Sequence, residues 1–455
     1  MSKGKTFKYG MPIYGLHWPE GNTIYLCGGG GMGIKNRLVC ASVQDGHLTD
    51  QTAEYLFGEN CPMRLNMLPS NKSIVFAMGQ GGIKRLDIDA QGRVPKFTEI
   101  TGDLQMRISD IKAEVKCMSV REDGGYLCLG FITGELIVYE WPSFKVKLDL
   151  SGDKKLADGV RDVDFGCLNG SSVTGSVSSA EPRKGCGHIV AVTLDNGTCE
   201  LWDWEKNSFL CRIEPGKLKQ NLEKSIIISS ESKTVIQKLP SGIERIQISK
   251  LRFARDGSGD LFTIFNTAQL GGHVARWGGI HALSSANTST AAPSTSHQSS
   301  LPSLLACKKV SEHPCTCFEV SRTGNLLAFG TSEGGVVVTL AVRSYALVRK
   351  LLKAHMVFTT GITFSSDSKY VLSVSADASA RVTEISNMSL NAAAKRDGAK
   401  IPGWARHLQG AMLLILLLLV VGLQVVRVLK QRGMSNGEIE AMVRRLVGLN
   451  AKDEL

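Results

Sequence analysis

The stretch Tyr25-Leu-Cys-Gly-Gly-Gly-Gly-Met-Gly-Ile-Lys-Asn36 is where residue types and spacing could do chemistry. Gly28, Gly29, Gly30 and Gly31 follow an apolar run that reads as a strand, and Gly33, Ile34 and Asn36 come just after them. Without Cβ atoms, such a loop reaches backbone angles closed to other residues. Successive carbonyls or amides could then converge on an ion or on the surface of a partner. It is not a phosphate-binding P-loop, because no Gly-Lys-Ser/Thr follows and no helical pattern begins there. A flexible hairpin tip is the other reading, and the residues alone leave both open.

Elsewhere no Ser/His/Asp set, carboxylate pair or metal-ligand cluster occurs at motif spacing. Bond-making catalysis is therefore not expected. The twelve cysteines lie between Cys27 and Cys317, many within strand-like runs such as Tyr126-Leu-Cys-Leu129. They read as buried free thiols of a reducing compartment. The net charge of +11 comes from scattered Lys and Arg. With no basic helix or base-reading motif, nucleic acid is not an expected partner.

The elements that must hold the loop repeat along the chain. A turn with Asp or Gly, an apolar strand, Gly or Ser, and a second alternating strand recur at Glu122–Tyr139, Ile189–Asp203 and Gly324–Val338. The clearest copy runs from His355 through Phe364, Asp367, Ser373 and Ser375 to Asp377 and Arg381, the order of a WD repeat. Its turn Asp is expected to bond backbone amides and the His of the same blade. Counting weaker copies gives seven blades near 11–49, 62–99, 113–148, 160–213, 247–283, 313–350 and 356–388. The expected fold is all-β, a seven-bladed WD-repeat-like β-propeller over 1–389, with residues before Pro12 adding a strand to the last blade. Insertions interrupt it at 214–246 and 284–304; the second is too poor in large apolar residues to pack and predicts a disordered loop.

A Gly- and Ala-containing linker, 390–407, leads to Leu408–Val426. Nineteen residues at ~1.5 Å each cover roughly 28 Å, enough for the hydrocarbon core of the endoplasmic reticulum membrane. This is read as a single transmembrane helix, flanked by Trp404 and Arg406 on one side and Arg427 and Lys430 on the other. Basic residues flank both ends, so charge does not orient it. The last residues do: Lys452-Asp453-Glu454-Leu455 is a signal read by a luminal retrieval receptor. The expected arrangement is a single-pass protein of the endoplasmic reticulum membrane with a cytosolic propeller and a short luminal tail, 427–455. Within that tail, Ser435-Asn-Gly-Glu438 reads as a capping box ahead of a helix with Ile439, Met442, Val443 and Leu446 on one face. That face meets a membrane or a partner helix, or the tail is weakly ordered. Five glycosylation-type sequons, at Asn71, Asn169, Asn196, Asn287 and Asn387, should then stay unmodified.

Tyr9-Gly-Met-Pro-Ile-Tyr-Gly15, Gly28–Gly31 and Gly33-Ile-Lys-Asn36 together resemble the opening of the endoplasmic-reticulum exchange factor for the COPII-coat small GTPase. Lys353-Ala-His355 to Ser375 is similar to that family's last blade, and the span after the propeller keeps the same order. The prolactin-regulatory-element-binding protein and plant phosphate-transporter traffic facilitators look like relatives. The resemblance implies a GTPase regulator in ER-to-Golgi transport. It implies that the loop matching Gly28–Asn36 binds potassium through backbone carbonyls, Gly31 among them, and Asn36, with Ile34 as the apolar contact to the GTPase. The other functional class is a non-catalytic propeller scaffold that assists the exit of one membrane cargo.

Overall fold

The computed structural model describes residues 6–68, 72–89, 94–167, 186–224, 236–237, 239–240, 242–280, 283, 302–341, 345–398, 435 and 437. Met1–Asp397 forms one compact unit and Gly398–Leu455 a second. The first unit contains seven antiparallel sheets, each of four main strands. Strand composition follows position within a blade. The second strands Ser73–Met78, Ile189–Leu194 and Leu326–Thr331 are buried at every residue. Both of their faces are covered by neighbouring blades, so they read as unbroken apolar runs rather than alternating ones. The outer strand Ala53–Gly58 of blade 1 alternates instead between half-buried and exposed residues.

Closure of the ring is as expected. Thr6–Lys8 pairs antiparallel with Ser379–Glu384, Phe7 opposite Ala380, so the last blade holds both ends of the first unit together. Ile24 and Leu26 of blade 1 then pack in one core cluster with Leu372, Val374 and Val382 of blade 7. Each such buried aliphatic side chain contributes roughly 1.5–3 kcal/mol.

Every blade also carries a bulge at the same place in its inner strand, between Ile13 and Gly15, Pro62 and Arg64, Val115 and Cys117, Val160 and Asp162. The remaining three fall between Ile248 and Lys250, Cys315 and Cys317, and Thr359 and Gly361. The extra residue bends the inner strand and raises its twist, which fits seven sheets around one axis.

Four differences from the sequence reading have local causes. Blade 1 continues past residue 49, because the hairpin at Asp45-Gly46 returns only His47–Leu48 and its long outer strand is Ala53–Gly58. Blade 5 continues past 283: its outer strand Ser303–Ser311 comes after the second insertion and overlaps that insertion's last residues. The first insertion supplies a helix, Pro215–Lys224, whose Leu218 and Leu222, four residues apart, are buried between blades 4 and 5. Asn387–Gly398, which overlaps the start of the linker expected at 390–407, forms a helix that rests Ala393 on the blade 6 and 7 core. No described helix is long and apolar enough to cross a membrane. Leu408–Val426, the stretch 284–301 and Lys452–Leu455 lie outside the described residues.

All twelve cysteines are free thiols, buried except for the half-buried Cys61. Burial pushes them up, Cys307 to about 12, so they are packing groups rather than nucleophiles.

His355 is buried as the WD pattern predicts, though its contact with Asp377 is indirect. Asp377 Oδ2 accepts from the Met356 amide at 2.6 Å, and Asp377 Oδ1 accepts from the Ser379 amide at 2.9 Å and from the Ser379 hydroxyl. The hydroxyl of Ser379 in turn meets His355 Nδ1 at 2.7 Å, and Ser373 Oγ meets Nε2 at 2.8 Å. Serine thus relays the carboxylate to the imidazole.

Candidate functional site

The Gly-rich loop joins the second and third strands of blade 1, Thr23–Gly28 and Asn36–Gln44. Its base is tightly built. A Cβ at Gly28 would lie 1.9 Å from the Pro12 carbonyl oxygen, and a Cβ at Gly29 would lie 2.0 Å from Asn36 Oδ1. Glycine is required here by close approach, whatever the backbone angles. The Gly29 amide donates to the same Pro12 carbonyl at 3.1 Å. Beyond the base, the Ile34 amide donates to the Gly31 carbonyl at 3.0 Å, closing a tight turn. Within that turn Gly31, Met32 and Gly33 all have positive φ.

Asn36 is the buried end of the loop, 7% exposed. Its amide nitrogen donates to the carbonyls of Gly58 and Glu59, both at 2.9 Å, fastening the loop to the end of the blade's outer strand. Its side-chain oxygen is buried with no hydrogen-bond partner. Next to it Arg37 ion-pairs with Glu54 at 2.7 Å and donates to the Tyr9 carbonyl. That ties the third strand to the connection running in from blade 7.

The tip has the opposite character. Met32 is fully exposed and Ile34 is 40% exposed. In an up-and-down blade the loop between strands two and three lies at the same end as the blade-to-blade connections. Other exposed apolar residues share that end: Met106 and Ile132, and Leu352, Met356, Val357 and Phe358 on the connection into blade 7. Toward the opposite end lie Val94 and, at the starts of outer strands, Val146, Phe209 and Leu347. Tyr9 N donates to Ala378 O and Met356 N to Asp377, so the chain entering blade 1 and the connection into blade 7 both bond the same loop of blade 7. Sequence reasoning placed Gly28–Gly31, Gly33, Ile34 and Asn36, and the structure brings all of them into this loop. It missed Met32 and the Met356–Phe358 patch, although three consecutive large apolar residues just before a strand were a visible cue.

An unpaired buried carbonyl oxygen beside a glycine-built turn fits a cation held by neutral oxygens. No group of three His, Cys, Asp or Glu that could hold a metal occurs among the described residues.

No protein-family model matches the chain. Over 78 residues it is 40% identical to SEC12-like protein 2 of Arabidopsis thaliana, a stretch that covers 17% of this chain and 20% of that protein. The chain thus spans about a fifth of the length of the curated relative it matches.

Proposed function

We propose that the chain is a guanine-nucleotide exchange factor for the small GTPase of the COPII coat. On this reading it is held on the endoplasmic reticulum membrane by Leu408–Val426, with its propeller in the cytosol. The observation that carries the reading is the loop itself. Met32 and Ile34 stand exposed on a turn whose base is fixed by Gly28, Gly29 and Asn36. The partial match to SEC12-like protein 2 points the same way.

Exchange requires a surface that binds the nucleotide-free GTPase better than the loaded one, so that binding energy goes into loosening the nucleotide. A rigid apolar tip suits this, since little ordering entropy is lost when it inserts. Asn36 holds the turn against the blade, Gly31 and Gly33 permit its geometry, and Ile34 and Met32 present the contact. Potassium is the proposed ion: the Asn36 side-chain oxygen and the Gly31 carbonyl would hold it. When bound, it would supply a positive charge that neutralises converging carbonyls and stiffens the loop. Retrieval through Lys452–Leu455 by a luminal receptor would keep the protein in its compartment.

The test is GDP release from the purified coat GTPase in the presence of residues 1–397. The account expects strong acceleration by the wild type and little by Met32→Asp/Ile34→Asp. A folded wild-type propeller that leaves release at its intrinsic rate would leave the cargo scaffold as the better reading.

A further inference from the structure

All seven inner strands line an axial cavity of about 360 Å³. At the position just after the shared bulge stand Arg64, Asp162 and Lys250, three charged groups at one level of the wall. Two residues beyond that level, on the inner strands of blades 4, 5 and 6, come Asp164, Arg252 and Glu319. The ion pairs among these groups are unequal. Arg252 takes Asp162 at 3.0 Å and Glu319 at 3.3 Å. Arg255 takes Asp164 at 3.7 Å and, outside the cavity, Glu122 at 2.6 Å. Every carboxylate in the cavity wall is then engaged.

Arg64 and Lys250 are left over. Neither has a carboxylate within ion-pairing distance among the described residues. Arg64 Nη1 donates only to backbone carbonyls, Met63 at 2.8 Å and Tyr14 at 3.3 Å. Burial, then Arg64 and Arg252, pull the Lys250 ammonium below its ordinary range, with Asp162 opposing them. The other titratable neighbours add no negative charge. Burial pushes the Cys117 thiol up to about 12 and the Cys317 thiol up to about 11, and it keeps His17 neutral by lowering it to about 4.

We propose that the axial cavity binds a tetrahedral oxyanion, phosphate or sulfate, between Arg64 and Lys250. A guanidinium and an ammonium are the donors that hold such an ion, through charge-assisted hydrogen bonds. A water occupies roughly 30 Å³ of liquid, so the cavity has room for an oxyanion with part of its hydration shell. Arg64 and Lys250 are the two cavity cations that form no ion pair among the described residues, so their donors are the ones left to face an oxyanion. This site is separate from the Gly-rich loop and does not depend on the exchange reading.

The test is calorimetric titration of the full chain in detergent with sodium phosphate, sodium sulfate and sodium chloride at matched ionic strength and pH 7.5. One phosphate or sulfate binds per chain and chloride does not, and a preference between the first two identifies the natural ion. Lys250→Met weakens binding roughly tenfold or more, as loss of a charge-assisted hydrogen bond does, whereas Lys250→Arg stays within about threefold. Circular dichroism establishes that each variant is folded. Wild-type protein that treats all three salts alike, or folded Lys250→Met that binds as the wild type does, overturns the proposal. If Lys250→Met does not fold, the wild-type salt comparison and Arg64→Met decide it in the same way.

Discussion

Asn36 Oδ1 sits so close above Gly29 that a Cβ at position 29 would come within 2.0 Å of it, and that oxygen has no hydrogen-bond partner. The loop is thus locked to the blade at one point by shape, with an acceptor kept unused at that same point. An unsatisfied buried acceptor costs about 1–3 kcal/mol, which a bound cation would offset.

Gly29→Ala cannot be absorbed by a side-chain rotation, because the new Cβ would also lie 2.8 Å from the Asn36 Cα. The overpacking costs about 1–3 kcal/mol and displaces the loop. A thermal melt and a GDP-release assay should both register it, with exchange lost well before the fold. Unchanged exchange would mean that the loop's base is softer than its contacts imply.

Met32 and Ile34 stand exposed at the loop tip, so their replacement separates the proposed exchange from folding. Met32→Asp/Ile34→Asp should leave stability within about 0.5 kcal/mol. If the two anchor the partner, exchange efficiency falls by roughly 30-fold or more, the loss of a binding hot spot. Stability and exchange falling together would argue against a contact role.

Burial holds the His355 imidazole down at about 4 and the His273 imidazole down at about 4, against the ordinary 6.5. Between these values the unfolded chain takes up protons that the folded one refuses. Their contribution is therefore complete above pH 6.5 and is lost as pH falls toward 4. Urea denaturation of residues 1–397 at pH 7.5 and pH 5.0 should show a loss of roughly 2 kcal/mol per histidine. An unchanged midpoint would mean that the buried imidazoles can charge in place.

Ser379→Ala removes the relay between Asp377 and His355 and leaves a buried imidazole nitrogen unpaired. The expected cost is about 1–3 kcal/mol in a denaturation midpoint. A neutral result would make the serine a bystander of the turn.

The blade count was legible because second strands covered on both faces read as mostly apolar runs, as at Ile189–Leu194 and Leu326–Thr331. The outer strands were less visible. Ala53–Gly58 packs on one face and follows a hairpin that looks like a blade's end. Ser303–Ser311 pairs with Gly271–Gly278 across a long insertion, and sequence distance hides such a pairing. In the loop, glycine spacing marked the candidate site and the resemblance implied a role for Asn36. The burial of Asn36 could not be read, since it depends on the carbonyls of Gly58 and Glu59 at the end of that hidden outer strand. The axial charges were equally out of reach. Arg64, Asp162 and Lys250 share one level of the cavity wall only because the bulges of their strands fall in one register.

The most direct test of exchange through this loop is GDP release from the coat GTPase with wild-type and Asn36→Ala propeller, each in potassium and in sodium. A thermal melt verifies that both proteins are folded. The account predicts fast release with the wild type in potassium, slower release in sodium, and slow release with Asn36→Ala in either salt. Equal acceleration by the folded variant, in both salts, would contradict it.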